Sequence, residues 1–181
     1  MRKLLIFIFL LIFCNTAYAD NSHFAFGLSE EEGIKLLTGE KSISLAWQSY
    51  PDENPITAKL KKEVFSDIKL KFRLIGLEPS DLKPGVSILV LDLAVIPTIN
   101  NLYLGNKYSG NIGLSFRMIA ESRKGGAPFF AAVWEYAETF ANVGEQEIRN
   151  SFKYMMDKFL IVYLKANPRK FIDDTPDKKN Q

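Results

Sequence analysis

At 181 residues, with 23 Lys and Arg against 21 Asp and Glu, the chain has the length of one domain and a formal charge of only +2. So small a charge gives no whole-protein steering toward nucleic acid or acidic lipid. One cysteine and one histidine rule out a disulfide framework and a Cys/His metal set.

Residues Met1 to Ala19 follow the plan of a secretory signal. Arg2 and Lys3 precede an uninterrupted apolar run from Leu4 to Cys14, and Ala17-Tyr18-Ala19 stands before Asp20. Cleavage is expected after Ala19, which predicts a periplasmic or secreted protein. The run falls short of the roughly 18 residues of a spanning helix, and no later segment reaches that length, so no transmembrane segment is expected in the mature chain. A lipoprotein signal ending at Cys14 would put Phe13 where a small residue is wanted. The signal removes two basic residues and the cysteine, leaving 21 charges of each sign. A domain without disulfides must be held by its core.

His23 falls in the first residues after the cleavage point, which leaves no Ser-His-Asp triad to build. Residues 20–41 form an N-terminal segment with one short helix. Ser29 and Glu32 there make the S-x-x-E capping pattern, and Ile34, Leu36 and Leu37 carry the helix to about Gly39. From Ser42 to Tyr50, Ile43, Leu45 and Trp47 alternate with polar positions, the period of a half-buried strand.

Asn54-Pro55 opens the clearest helix, with Ile56, Leu60, Val64, Ile68, Phe72 and Ile75 as its apolar stripe. Gly76 is placed to end it in the left-handed conformation, with Leu77 as the apolar contact beyond. Three strands are predicted next, Val86 to Ile96, Asn111 to Ile119 and Phe129 to Phe140, joined as an antiparallel meander. The last helix starts near Asn142 to Gly144, carries Ile148, Phe152, Met155, Met156, Phe159 and Tyr163, and stops at Asn167-Pro168.

The predicted fold is therefore α+β, a two-layer sandwich over residues 42–168. It has a four-stranded, mainly antiparallel sheet, two long helices on one face and the short N-terminal helix. A disordered tail is expected over residues 169–181, since Asp173 to Gln181 holds no apolar residue.

Three groups of residues are candidates for function. Asp92, Glu135 and Arg117 fall on predicted neighbouring strands, where they read as a cross-strand charge ladder or, less simply, as a carboxylate acid/base pair. Lys59, Lys62, Lys69 and Arg73, with Ser66 among them, gather near one face of the long helix. There they form a solvated face or a surface for an anionic lipid head group, glycan or acidic partner. In the connection Pro97 to Gly110, Ile99, Leu102, Tyr103, Leu104 and Tyr108 are too apolar for a plain link. Either the hairpin extends through them and they fold back on the domain, or they project as a patch for a protein or membrane. Gly125-Gly126 lacks phosphate-loop spacing.

Across the helix end Leu70 to Leu77, Ala132-Val133-Trp134, and the run Phe159 to Pro168 ending in Leu-Lys-Ala-Asn-Pro, the chain resembles small exported bacterial proteins of unassigned function. In arrangement it is similar to small envelope-assembly domains such as the lipopolysaccharide-assembly lipoproteins, whose lipidated cysteine it lacks. The resemblance implies no catalytic residue. The expectation is a periplasmic non-enzymatic binding or envelope-assembly module, using no cofactor or metal and no nucleic acid, with an envelope protein partner or an apolar ligand. The alternatives are a carrier holding a lipid-like ligand between sheet and helices, and a carboxylate-based hydrolase.

Overall fold

The computed structural model describes residues 23–24, 28–50, 55–77, 79–80, 86–101, 105–120 and 128–168. The predicted export signal, Met1 to Ala19, and the predicted tail 169–181 lie outside the described residues. The elements in order are β1 (His23–Phe24), α1 (Glu30–Leu37), β2 (Ile43–Tyr50), α2 (Pro55–Leu74), β3 (Ser87–Asn101), β4 (Gly105–Ala120), β5 (Phe129–Val143) and α3 (Glu145–Ala166). The fold is α+β, with three helices among the described residues, and the sheet order is β1-β5-β4-β3-β2.

Two expectations about the sheet are corrected. It is mixed rather than mainly antiparallel, because β2 pairs with β3 in parallel, Ile43 opposite Ser87 through Tyr50 opposite Ala94. The cause is α2, which carries the chain back across the sheet between the two strands, as parallel neighbours require. The sheet also gains the two-residue strand β1 on β5, pairing His23 with Glu135 and Phe24 with Trp134. His23, in the first residues after the expected cleavage point, is thus part of the sheet.

The β3–β4 pairing runs past the predicted strand ends, from Ile88 opposite Arg117 to Asn101 opposite Gly105. Residues 97–101 and 105–110 are therefore paired parts of a long hairpin, not a loose link. A register shift between Pro97 and Ile99 accommodates the residue that cannot donate to the ladder.

Local signals set the helix ends. Ser29 caps α1, its hydroxyl accepting from the Glu32 amide at 3.3 Å while Glu32 accepts from the Ser29 amide at 2.9 Å. At the end of α2, Gly76 takes φ +71°, its amide donates to the Arg73 carbonyl at 3.0 Å, and the Leu77 amide donates to Phe72 at 2.9 Å. This is the paired ending that satisfies orphan carbonyls, and Leu77 is buried as its apolar contact.

Both long helices turn their predicted stripes to one core. Leu60, Val64, Ile68 and Phe72 from α2, and Phe152, Met155, Met156, Phe159 and Tyr163 from α3, are all buried. They meet Leu89, Leu91, Leu114, Phe116, Trp134 and Tyr136 of the sheet. Phe159 sits between Phe116 and Trp134 at ring-centroid distances of 5.5 and 5.4 Å. Each such burial contributes roughly 1.5–3 kcal/mol, so the interior rather than any crosslink holds the domain.

Alongside the core, α2 and α3 run parallel, zipped by ion pairs: Lys59–Glu145 at 2.7 Å, Glu63–Arg149 at 3.3 Å, Asp67–Arg149 at 2.6 Å, and Lys71–Asp157. The partners lie 82 or 86 residues apart, one helical turn different, which fixes which side of α2 faces α3. The remaining side faces out.

Candidate functional site

On α2 the buried stripe recurs at residues 60, 64, 68 and 72, so positions 62, 66, 69 and 73 fall on the opposite pole at the same three-to-four spacing. That pole holds Lys62, Ser66, Lys69 and Arg73. Together with Ala58, Lys61, Phe65 and Leu70 they border an open depression of about 630 Å³. Four of these eight side chains are cations and none is an acid. Lys61, Lys62, Lys69 and Arg73 are exposed and have no ion partner among the described residues.

Apolar groups interleave with the charges. Phe65 is half-buried, its ring edge-on to Trp47 at 6.2 Å, while Leu70 is 58% exposed and Leu74, one turn further, 73% exposed. The surface is thus a cationic strip with apolar steps, able to meet anions without any rearrangement of the fold. It supplies no nucleophile paired with a base.

Of the four cations singled out in the sequence, the structure brings together Lys62, Lys69 and Arg73. It assigns Lys59 to the α2–α3 seam, where Glu145 accepts its hydrogen bond and raises its pKa. Lys61 was missed. Its position one residue before Lys62, four before Phe65, was the available signal.

The charged trio lies on the opposite face of the domain. Leu91, Leu93, Leu114, Phe116, Trp134 and Tyr136 turn inward, so the alternating Asp92, Ser115, Arg117 and Glu135 turn away from the helices. Arg117 reaches Asp92 at 3.6 Å and donates from Nε to Ser115 Oγ at 3.0 Å, while Glu135 stands opposite Ser115. Burial pushes the Asp92 carboxyl above its ordinary value, with Arg117 opposing the shift. Asp92 and Arg117 thus form a charged pair across neighbouring strands.

In the hairpin, Tyr108 is 1% exposed and belongs to the core, so it is not part of an outward patch. Burial raises its hydroxyl pKa. The side chain of Ile99, and Leu102, Tyr103 and Leu104 entirely, lie outside the described residues. Among the described residues no group of three or more His, Cys, Asp or Glu side chains could hold a metal ion. No described helix is long and apolar enough to cross a membrane, which says nothing of β-barrels.

Comparison with known proteins gives no matching family model and no curated relative. Among solved structures the chain is similar to the PelC dodecamer from Paraburkholderia phytofirmans, at 16% identity and a TM-score of 0.38, over 78% of this chain and 94% of that one. A minor lipoprotein from Acinetobacter baumannii matches at 15% identity and a TM-score of 0.28, over 70% and 93%. Rare lipoprotein B from Shewanella oneidensis matches at 18% and 0.23, over 69% and 92%. Two of the three are bacterial lipoproteins by name. At these scores the likeness carries no argument about what the chain does.

Proposed function

We propose that the chain is a non-enzymatic binding or assembly module of the bacterial cell envelope that docks through the outward face of α2. The observation that carries this reading is the cluster of Lys61, Lys62, Lys69 and Arg73, exposed around one depression of α2 without ion partners among the described residues, while neighbouring cations of the same helix are paired. Unpaired like charges repel one another and do nothing for the fold, so a surface that concentrates them is explained by an anionic partner. The signal-like N-terminus supports an envelope location for that partner.

A ligand carried between sheet and helices is the weaker reading. That space is filled by Phe116, Trp134, Phe152, Met155, Met156 and Phe159, all buried, and a close-packed interior admits a guest only by displacing such groups.

Photo-crosslinking in the native envelope tests the docking surface. A crosslinker at position 62 or 69 is expected to yield adducts that are absent when it is placed at Gln146, exposed on the first turn of α3. Equal yields from all three positions, or none from any, would remove the reading.

A further inference from the structure

Deepening that reading, and resting on it, we infer that the occupant of the α2 face is the anionic phospholipid surface of a membrane, on which the domain lies peripherally. The described lining of the depression comes from one helix and is open to solvent. A discrete small ligand is normally enclosed over most of its surface, which one helix face cannot do. A bilayer surface asks for a different arrangement: a row of cations for the phosphates, with apolar side chains between them that dip into the head-group boundary.

The α2 face has both. From Ala58 to Leu74 it offers about 24 Å of helix at 1.5 Å per residue. Three of its four cations are lysines, compact charges on flexible stems that follow laterally mobile phosphates without requiring the fixed fork geometry of a designed protein contact. Leu70 and Leu74 stand 58% and 73% exposed beside them, and Phe65 adds a ring edge. An acidic protein partner would be expected to find complementary polar side chains there. Among the described lining residues the one non-ionic polar side chain is Ser66. The opposite face of α2 is committed to the core, so the helix is held parallel to the surface it meets rather than free to insert.

The test uses the full mature protein and vesicle flotation, with phosphatidylcholine alone or mixed with phosphatidylglycerol. Binding is expected to the mixed vesicles only and to fall as salt rises. Each cation near such a surface strengthens partition about fivefold, so Lys62→Ser, Lys69→Ser and Arg73→Ser together should weaken it about 100-fold. The same three positions changed to Lys62→Arg, Lys69→Arg and Arg73→Lys should retain it, as should Lys35→Ser, Lys41→Ser and Lys165→Ser on the α1 side, which remove equal charge elsewhere. Leu70→Ser with Leu74→Ser should weaken binding without altering its salt dependence. Thermal melting of each variant confirms that the fold is kept. Vesicle binding that ignores phosphatidylglycerol, or that the α2-face triple variant leaves intact, overturns the inference. Position-specific crosslinks to a protein without vesicle binding would overturn the lipid occupant and leave the docking surface standing, whereas loss of both would remove the two together.

Discussion

The carboxamide of Asn167 grips the end of the first helix at Leu37: its Nδ2 donates to the Leu37 carbonyl at 3.0 Å and to Tyr163 at 3.1 Å, while its Oδ1 accepts from the Gly39 amide at 2.9 Å. One side chain thus satisfies the orphan groups at the C-terminal ends of both α1 and α3. Asn167→Ala leaves the Leu37 carbonyl and the Gly39 amide without these partners and should cost about 1–3 kcal/mol. Hydrogen exchange would show α1 amides losing protection while β3 and β4 keep theirs. Uniform loss across the sheet would contradict the assignment of this contact to α1 docking.

Core and strip should separate cleanly on mutation. Phe72 and Phe152 are both 0% exposed within their apolar stripes. Phe72→Ala and Phe152→Ala should each destabilise by about 3–5 kcal/mol. Lys62→Ala, on the opposite pole of α2, should stay within about 0.5 kcal/mol. Denaturant midpoints in the reverse order would mean that the helix faces had been exchanged.

What could be read in the sequence was what short-range rules govern. Ser29 with Glu32, Gly76 with Leu77, and the stop at Asn167 are set by residues within one or two turns, and the structure places each as its spacing implied. Strand partners are chosen by distant residues. The parallel pairing of β2 with β3 and the addition of β1 to β5 therefore escaped the strand pattern, although a helix between two strands is itself the mark of a parallel crossover. Pro97 read as a strand end because it cannot donate, and a register shift let the hairpin pass it. At the candidate site, the helix face of Lys62, Lys69 and Arg73 followed from periodicity. That Lys59 is spent on Glu145 did not, since its partner lies 86 residues away.

Asp67 links the two long helices most closely, accepting from Arg149 at 2.6 and 2.9 Å with Lys153 at 3.4 Å. The Arg149 hydrogen bonds hold its carboxyl below the usual range. A depressed folded pKa contributes stability that is full above the unfolded value and lost as pH falls through the folded one. Asp67→Asn should therefore cost about 1–2 kcal/mol at neutral pH, the pair being partly screened by solvent. The deficit should close in acid below about pH 4. A deficit independent of pH would show that packing, not charge, is responsible.

Two glycines of β4 should respond oppositely. A Cβ on Gly110 would run into the Ala94 carbonyl oxygen of β3, a backbone atom that cannot move aside, whereas one on Gly113 meets Asp92 Cβ and the Tyr136 carbonyl oxygen at an ordinary 3.6 Å. Gly110→Ala should lose about 1–3 kcal/mol through forced displacement of the strand. Gly113→Ala should be within about 0.5 kcal/mol of neutral. Comparable losses at both would place the hairpin in a different register.

Asp92 should behave as the reverse of Asp67. It is 39% exposed on the outer face of the sheet, with Arg117 at 3.6 Å, too long for a strong hydrogen bond. Burial raises its pKa, and the arginine only partly offsets this. A carboxyl whose folded pKa is raised binds its proton more tightly in the native state, so its ionisation opposes folding at neutral pH and the penalty disappears as pH falls through the raised value. Asp92→Asn keeps the shape, removes the charge and leaves Arg117, 30% exposed, in reach of water. At neutral pH the variant should be as stable as the parent or more so, by less than about 1 kcal/mol given solvent screening. The two should converge in acid, measured as midpoints across a pH series. A clear loss of stability at neutral pH would mean that the Arg117 pair outweighs burial. Vesicle binding through α2, on the other side of the domain, should be unchanged in this variant, because the ladder and the strip share no residue.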